Sequence, residues 1–287
     1  MSEIPGLLLE LNAALVLAVT IVLGLRLPVR RIFGPRAAYG LWSVIPLTLA
    51  AVCLPRMDIG PVVASSTLSL IPSQLIVSVW SAGAIAFAGL MMVQQMRFAA
   101  LSRRGLAGPA VTGVIVPRLV MPADSAVRWS PEERALILAH EHAHLERGDL
   151  RVNAAVALIQ CLFWCNPWAH VAAGRFRFDQ ELACDARVLA VRPGRRRLYA
   201  EALLKAGQTP MMPLGCSWGD TTARELETRI ASFSLNRHSP TPIAVAVVVG
   251  LALGVAAAAW VLQPATFEAV PDSRPKILNL RLAPSQA

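Results

Sequence analysis

Ser130-Pro131-Glu132-Glu133-Arg134-Ala135-Leu136-Ile137-Leu138-Ala139-His140-Glu141-His142-Ala143-His144 is the stretch from which the rest of the chain is read. It opens as a helix should. Ser130 is an N-cap residue, Pro131 suits the first turn and Glu133 completes a capping box. Leu136, Ile137 and Ala143 mark an apolar face, and Gly148 supplies a left-handed stop. Inside this helix sits H-E-x-x-H. His140 and His144, four residues apart, share one face and can each present a ring nitrogen to one ion. Glu141 points beside that ion rather than at it, where a general base takes a proton from activated water. His142 falls on a different face and is not expected to be a ligand. The competing reading is a solvated helix turn in which these groups have no role.

A second segment weighs against that reading. Glu181-Leu-Ala-Cys184-Asp185 follows on a predicted helix. Catalytic zinc takes three protein ligands and keeps one open position. Glu181 supplies the third ligand. Asp185, four residues on and on the same face, can accept a hydrogen bond from the far nitrogen of a ligating histidine. Leu182, Ala183, Cys184 and Val188 make the surroundings apolar, where an unpartnered carboxylate would be costly. Asp149 either caps the next helix or orients a ligand from behind. Upstream, residues 111–122 read as short strands broken by Pro117, which confines them to a sheet edge.

Further outward, the chain turns apolar. Of its 287 residues 55% are hydrophobic and 16% charged, a balance that points to membrane spans plus a modest polar domain. Apolar runs at 7–25, 37–55, 75–93 and 242–262 each approach the ~20 residues of a spanning helix. Arg26, Arg30, Arg31 and Arg36 follow the first run, and Arg97, Arg103 and Arg104 follow the third. The positive-inside rule then gives external termini, a cytoplasmic first loop and a cytoplasmic segment 94–240. Accordingly residues 1–93 form a membrane domain, 94–240 a cytoplasmic protease domain, 241–263 the fourth span and 264–287 an external tail. Residues 152–173, interrupted by Asn166-Pro167, are read as buried or interfacial helices rather than a span. Gly250 and Gly254 allow close helix approach, within the molecule or in a homodimer. The net charge of +9 fits cytoplasmic loops facing anionic lipid rather than direct nucleic-acid binding. Five cysteines without paired spacing argue against a disulfide scaffold, and Cys53, Cys161, Cys165 and Cys216 are expected as small apolar fillers.

With these residues in hand, the chain resembles the BlaR/MecR-type antirepressor metalloproteases, membrane transducers of beta-lactam signalling. The resemblance rests on His140-Glu-His-Ala-His144 with Asp149, on the Asn166-Pro167 turn, on Glu181-x-x-Cys184-Asp185 and on Tyr199-Ala-x-x-Leu-Leu204. It implies a gluzincin-like α+β domain set into a mainly α protein of the bacterial inner membrane. Zn2+ would be held by His140, His144 and Glu181, with Glu141 as base. It further implies a signalling protease that cleaves itself or a cytoplasmic repressor, with Ser232-Phe233 a candidate self-cleavage region. The chain departs from the beta-lactam sensors in having no S-x-x-K nucleophile in residues 264–287. Two alternatives remain open: a quality-control membrane protease of the HtpX type, and a non-catalytic receptor or scaffold whose zinc is closed by Cys184 as a fourth ligand.

Overall fold

The computed structural model describes residues 4–55, 72–206, 213–217, 223–233 and 241–263. The external tail expected at 264–287 lies outside them. Helix α1 (Ile4–Phe33) leads into the short α2 (Pro35–Gly40), a 3-10 turn at Leu41–Ser43 and α3 (Val44–Val52). Helix α4 (Ser73–Arg103) follows, then strands β1 (Ala110–Thr112) and β2 (Arg118–Val120) and the one-turn α5 (Ser125–Arg128). Four helices carry the centre of the molecule: α6 (Pro131–Arg147), α7 (Asp149–Leu162), α8 (Pro167–Val191) and α9 (Arg196–Ala206). Strand β3 (Cys216–Ser217), α10 (Ala223–Ser232) and α11 (Pro242–Val261) complete the order.

Three helices, α1, α4 and α11, are long and apolar enough to cross a membrane. The run at 37–55, read from sequence as a span of its own, is helical as far as Val52, with a 3-10 turn at Leu41–Ser43 joining α2 to α3 through right-handed residues. Pro46 is one physical cause of that turn, since it has no N–H to return to the carbonyl four residues back. The segment packs between α1 and α11. Leu15, Ala18, Val19 and Val22 of α1 meet Leu41, Trp42, Val44 and Ile45, with Phe163, Ala172 and Phe176 from α7 to α8 and Ala252 from α11. Gln263 donates to the carbonyls of Ala51 and Val52 at 3.1 and 2.8 Å, which satisfies the end of α3.

Helix α11 presents Ala244, Val248 and Ala252 inward. The close approach expected at Gly250 and Gly254 is not made within the molecule: both are exposed, and a Cβ built on either meets nothing within 4 Å. Cys53 and Cys165 likewise do not serve as fillers, being exposed, whereas Cys184 and Cys216 are buried.

The hairpin is as Pro117 suggests. β1 pairs antiparallel with β2, which begins just after that proline, and with β3 on its other side, giving the order β2-β1-β3. Asn153 of α7 fastens β3 by donating to the Gly215 carbonyl at 3.0 Å. A second core joins Trp129, Leu136 and Ile137 to Val188, Leu189, Tyr199, Leu203 and Phe233. It holds α6 against the far half of α8 and against α9, and this crossing positions the site.

Candidate metal centre

Helix α6 starts with the capping box read from sequence. Glu133 N–H donates to Ser130 Oγ at 3.2 Å, and Ser130 N–H donates to Glu133 Oε2 at 2.7 Å. Lys205 donates to the other oxygen of Glu133 at 2.6 Å, tying α9 to the same end. Gly148 closes α6 at φ 71° and starts α7 at the same residue. That sharp corner puts Asp149 directly behind the last turn of α6. At the other wall, Asn166 caps α8 by accepting the Trp168 N–H at 3.0 Å. About four turns of α8 later the carboxylates at 181 and 185 face α6.

The imidazoles and Glu181 converge. His140 Nε2 lies 3.1 Å from His144 Nε2 and 3.2 Å from Glu181 Oε2. His144 Nε2 lies 3.3 Å from Glu181 Oε1. All three side chains are buried. The opposite ring nitrogens are engaged from behind. His144 Nδ1 donates to Asp149 Oδ2 at 2.7 Å. His140 Nδ1 donates to the Tyr199 hydroxyl at 2.7 Å, and that hydroxyl donates on to Asp185 Oδ1 at 2.7 Å. With the protons on Nδ1, both Nε2 atoms carry lone pairs.

Two bare imidazole nitrogens at 3.1 Å repel unless a cation lies between them. Bonds of 2.0–2.1 Å in a tetrahedron set donor atoms roughly 3.3 Å apart, close to all three separations measured here. The donor set therefore fits a small divalent ion with one corner left for another group. Cys184 also comes near, and with His140 and His144 it forms a group able to hold a metal, as do His144, Asp149 and Cys216. Cys184 Sγ, however, stands 3.3 Å from Nδ1 of His144, the nitrogen committed to Asp149. Burial pushes its thiol up to about 11, so it enters as a neutral group.

Charge at the site is balanced from one direction. Arg229 of α10, fully buried, donates twice to Asp185 at 2.8 Å and lies 3.1 Å from Glu181 Oε2. Burial by itself would raise these carboxyls. Arg229 overcomes it, holding Asp185 down to about 2 and, with His144, Glu181 well below the usual range. Glu141 differs. It is fully buried, and neither carboxylate oxygen has a hydrogen-bond partner among the described residues. Desolvation pushes it up to about 7, against the lowering effect of His140 and His144. An unsatisfied carboxylate poised near neutrality suits proton transfer.

Other sequence expectations resolve geometrically. His142 is exposed and its ring bonds the Leu138 carbonyl at 3.0 Å. Tyr199 is spent behind His140, and His170 bonds the Trp164 carbonyl and packs on Phe87. Ser232 ends α10, and Phe233 is buried with its ring 5.3 Å from that of Tyr199. Cutting the folded chain there needs the end of α10 to leave the core first. Sequence reasoning missed Arg229, Arg147 and Tyr39. For Arg229 a cue existed, since it lies among Leu226, Ile230 and Phe233 on the inward stripe of α10.

Residues 92–233 match the family model described as BlaR1 peptidase M56. The chain is 32% identical over 107 residues to the regulatory protein BlaR1 of Bacillus licheniformis, a match covering 37% of this chain and 18% of that protein. No solved structure matches.

Proposed function

The chain belongs to the BlaR/MecR-type M56 peptidase family, and on that premise we propose that it is a membrane-bound zinc metalloendopeptidase acting in regulated proteolysis. The observation that carries this is the meeting of His140 Nε2, His144 Nε2 and Glu181 within 3.3 Å of one another, beside the Glu141 carboxylate, which has no hydrogen-bond partner among the described residues.

His140, His144 and Glu181 would hold the ion, with Asp149 and Tyr199–Asp185 fixing the ring tautomers. Zinc, when bound, supplies Lewis-acid polarisation of the scissile carbonyl and activation of water. Glu141 takes the proton from the attacking water and returns it to the leaving amine. Its burial keeps it protonatable near neutral pH, so it serves in both directions. Arg229 neutralises Asp185 and part of Glu181.

The membrane setting is supported by α1, α4 and α11. Arg26 and Arg30 at the end of α1 approach Asp179 of α8 at 2.8 and 3.7 Å. The arginine-rich end of that span, which the positive-inside rule assigns to the cytoplasm, is therefore next to the catalytic helices. This supports a protease domain in the cytoplasm, with a protein substrate there: a transcriptional repressor, or the chain itself. A homodimer through the open Gly250–Gly254 face is part of the same proposal.

Glu141→Gln provides the test. The variant keeps one zinc per chain, and its peptide hydrolysis falls about 10²–10⁴-fold, the usual weight of a general base. Retained turnover in a variant with full zinc content would sink the assignment.

A further inference from the structure

Tyr39 has no part in the chemistry above, yet it touches the metal centre from the wrong side of the molecule. It stands on α2, among helices that pack with the membrane-side core. Its hydroxyl donates to Asp149 Oδ1 at 3.0 Å and accepts from Gln180 Nε2 at 3.3 Å. The Arg147 guanidinium lies over its ring at 4.7 Å. Asp149 is thereby held at both oxygens: Oδ1 by Tyr39 and by Arg147 Nε at 3.2 Å, Oδ2 by His144 and by Arg147. Arg147 spans both oxygens from the end of α6, and the Tyr39 hydroxyl grips Oδ1 from a different helix. That independent donor helps set the carboxylate plane and so aims Oδ2 at the His144 ring.

Helix α2 is itself fastened at the neighbouring residue of α8. Asp179 accepts Arg26 Nη1 of α1 at 2.8 Å and the indole N–H of Trp42, just after α2, at 2.9 Å. Residues 179 and 180 directly precede the ligand Glu181. An apolar cavity of about 310 Å³ borders Tyr39 and Trp42, lined also by Leu15, Ile159 and Phe176.

We propose that Tyr39 is a positioning residue for the metal centre, holding His144 through Asp149, so that the seating of α1 and α2 on α8 sets metal affinity. This rests on the metal-centre reading. It gives the membrane-side helices a direct polar line to a ligand, through a residue that lies outside the matched family region.

The experiment uses the full chain in detergent or nanodiscs and reads zinc affinity by chelator competition, together with the visible spectrum of the cobalt-substituted protein. Tyr39→Phe removes one hydroxyl and keeps the ring under Arg147. It weakens zinc binding by about tenfold, the low end for groups behind a ligand, and shifts the cobalt bands. Asp149→Asn weakens it further, and the double variant binds no more weakly than Asp149→Asn alone, because both act through one contact. Tyr39→Phe with wild-type zinc affinity and an unchanged cobalt spectrum overturns the proposal, as do losses that simply add in the double variant. Failure of the wild-type chain to take up one zinc overturns the metal-centre reading itself, a distinct outcome.

Discussion

The two histidines of α6 are backed by the same three kinds of group, a carboxylate, a tyrosine and an arginine, drawn from different parts of the chain. Behind His140 stand Asp185, Tyr199 and Arg229, supplied by α8, α9 and α10. Behind His144 stand Asp149, Tyr39 and Arg147, supplied by α7, α2 and α6. The first set is sealed: Asp185, Tyr199 and Arg229 are each 0% exposed. The second is looser at its rim, where the Arg147 side chain is 16% exposed, and it reaches across to the membrane-side helices. One ligand is thus anchored within the protease core, while the other depends on where a distant helix sits.

That contrast can be broken most sharply at the arginines. Arg229→Met strands Asp185 and Glu181 as buried charges, and the metal-free protein loses about 3–5 kcal/mol of stability. Arg147→Met removes one donor of several from Asp149 and costs about 1.5 kcal/mol. Denaturant unfolding of both variants compares them directly, and equal losses would erase the distinction between a sealed and an open network.

Acid sharpens the same comparison with a smaller effect. Asp185 is held at about 2 by Arg229 despite burial, against an ordinary value of 3.8. A depressed carboxyl adds stability above its unfolded value and loses it as pH falls through the folded one. About 2 kcal/mol, at ~1.36 kcal/mol per unit, therefore disappears between roughly pH 4 and pH 2. Asp185→Asn flattens that part of the acid profile, measured as unfolding free energy against pH. An unchanged acid slope in the variant would contradict the pairing.

The parts of this arrangement that were legible in the sequence are local ones. The capping box of Ser130 and Glu133, the i, i+4 histidines and the i, i+4 carboxylates at 181 and 185 each need only one helix to be recognised. The Gly148 corner places Asp149 for the same reason. The partners that complete the site are remote: Arg229 meets Asp185 across 44 positions and Tyr39 meets Asp149 across 110. No periodicity encodes such pairings, although an arginine on an apolar stripe, as at 229, signals a buried acid to be found. At 37–55 hydropathy registers the apolar content, but not the 3-10 stretch at Leu41–Ser43 or the remote bond from the Trp42 indole N–H to Asp179.

The account stands or falls on which atoms surround the ion. X-ray absorption at the zinc edge of the purified full-length protein reads them directly. Nitrogen and oxygen neighbours alone at about 2.0–2.1 Å, with the signature of two imidazoles, is the predicted result. A sulfur neighbour near 2.3 Å would put Cys184 in the shell, close the open corner and contradict the hydrolase reading.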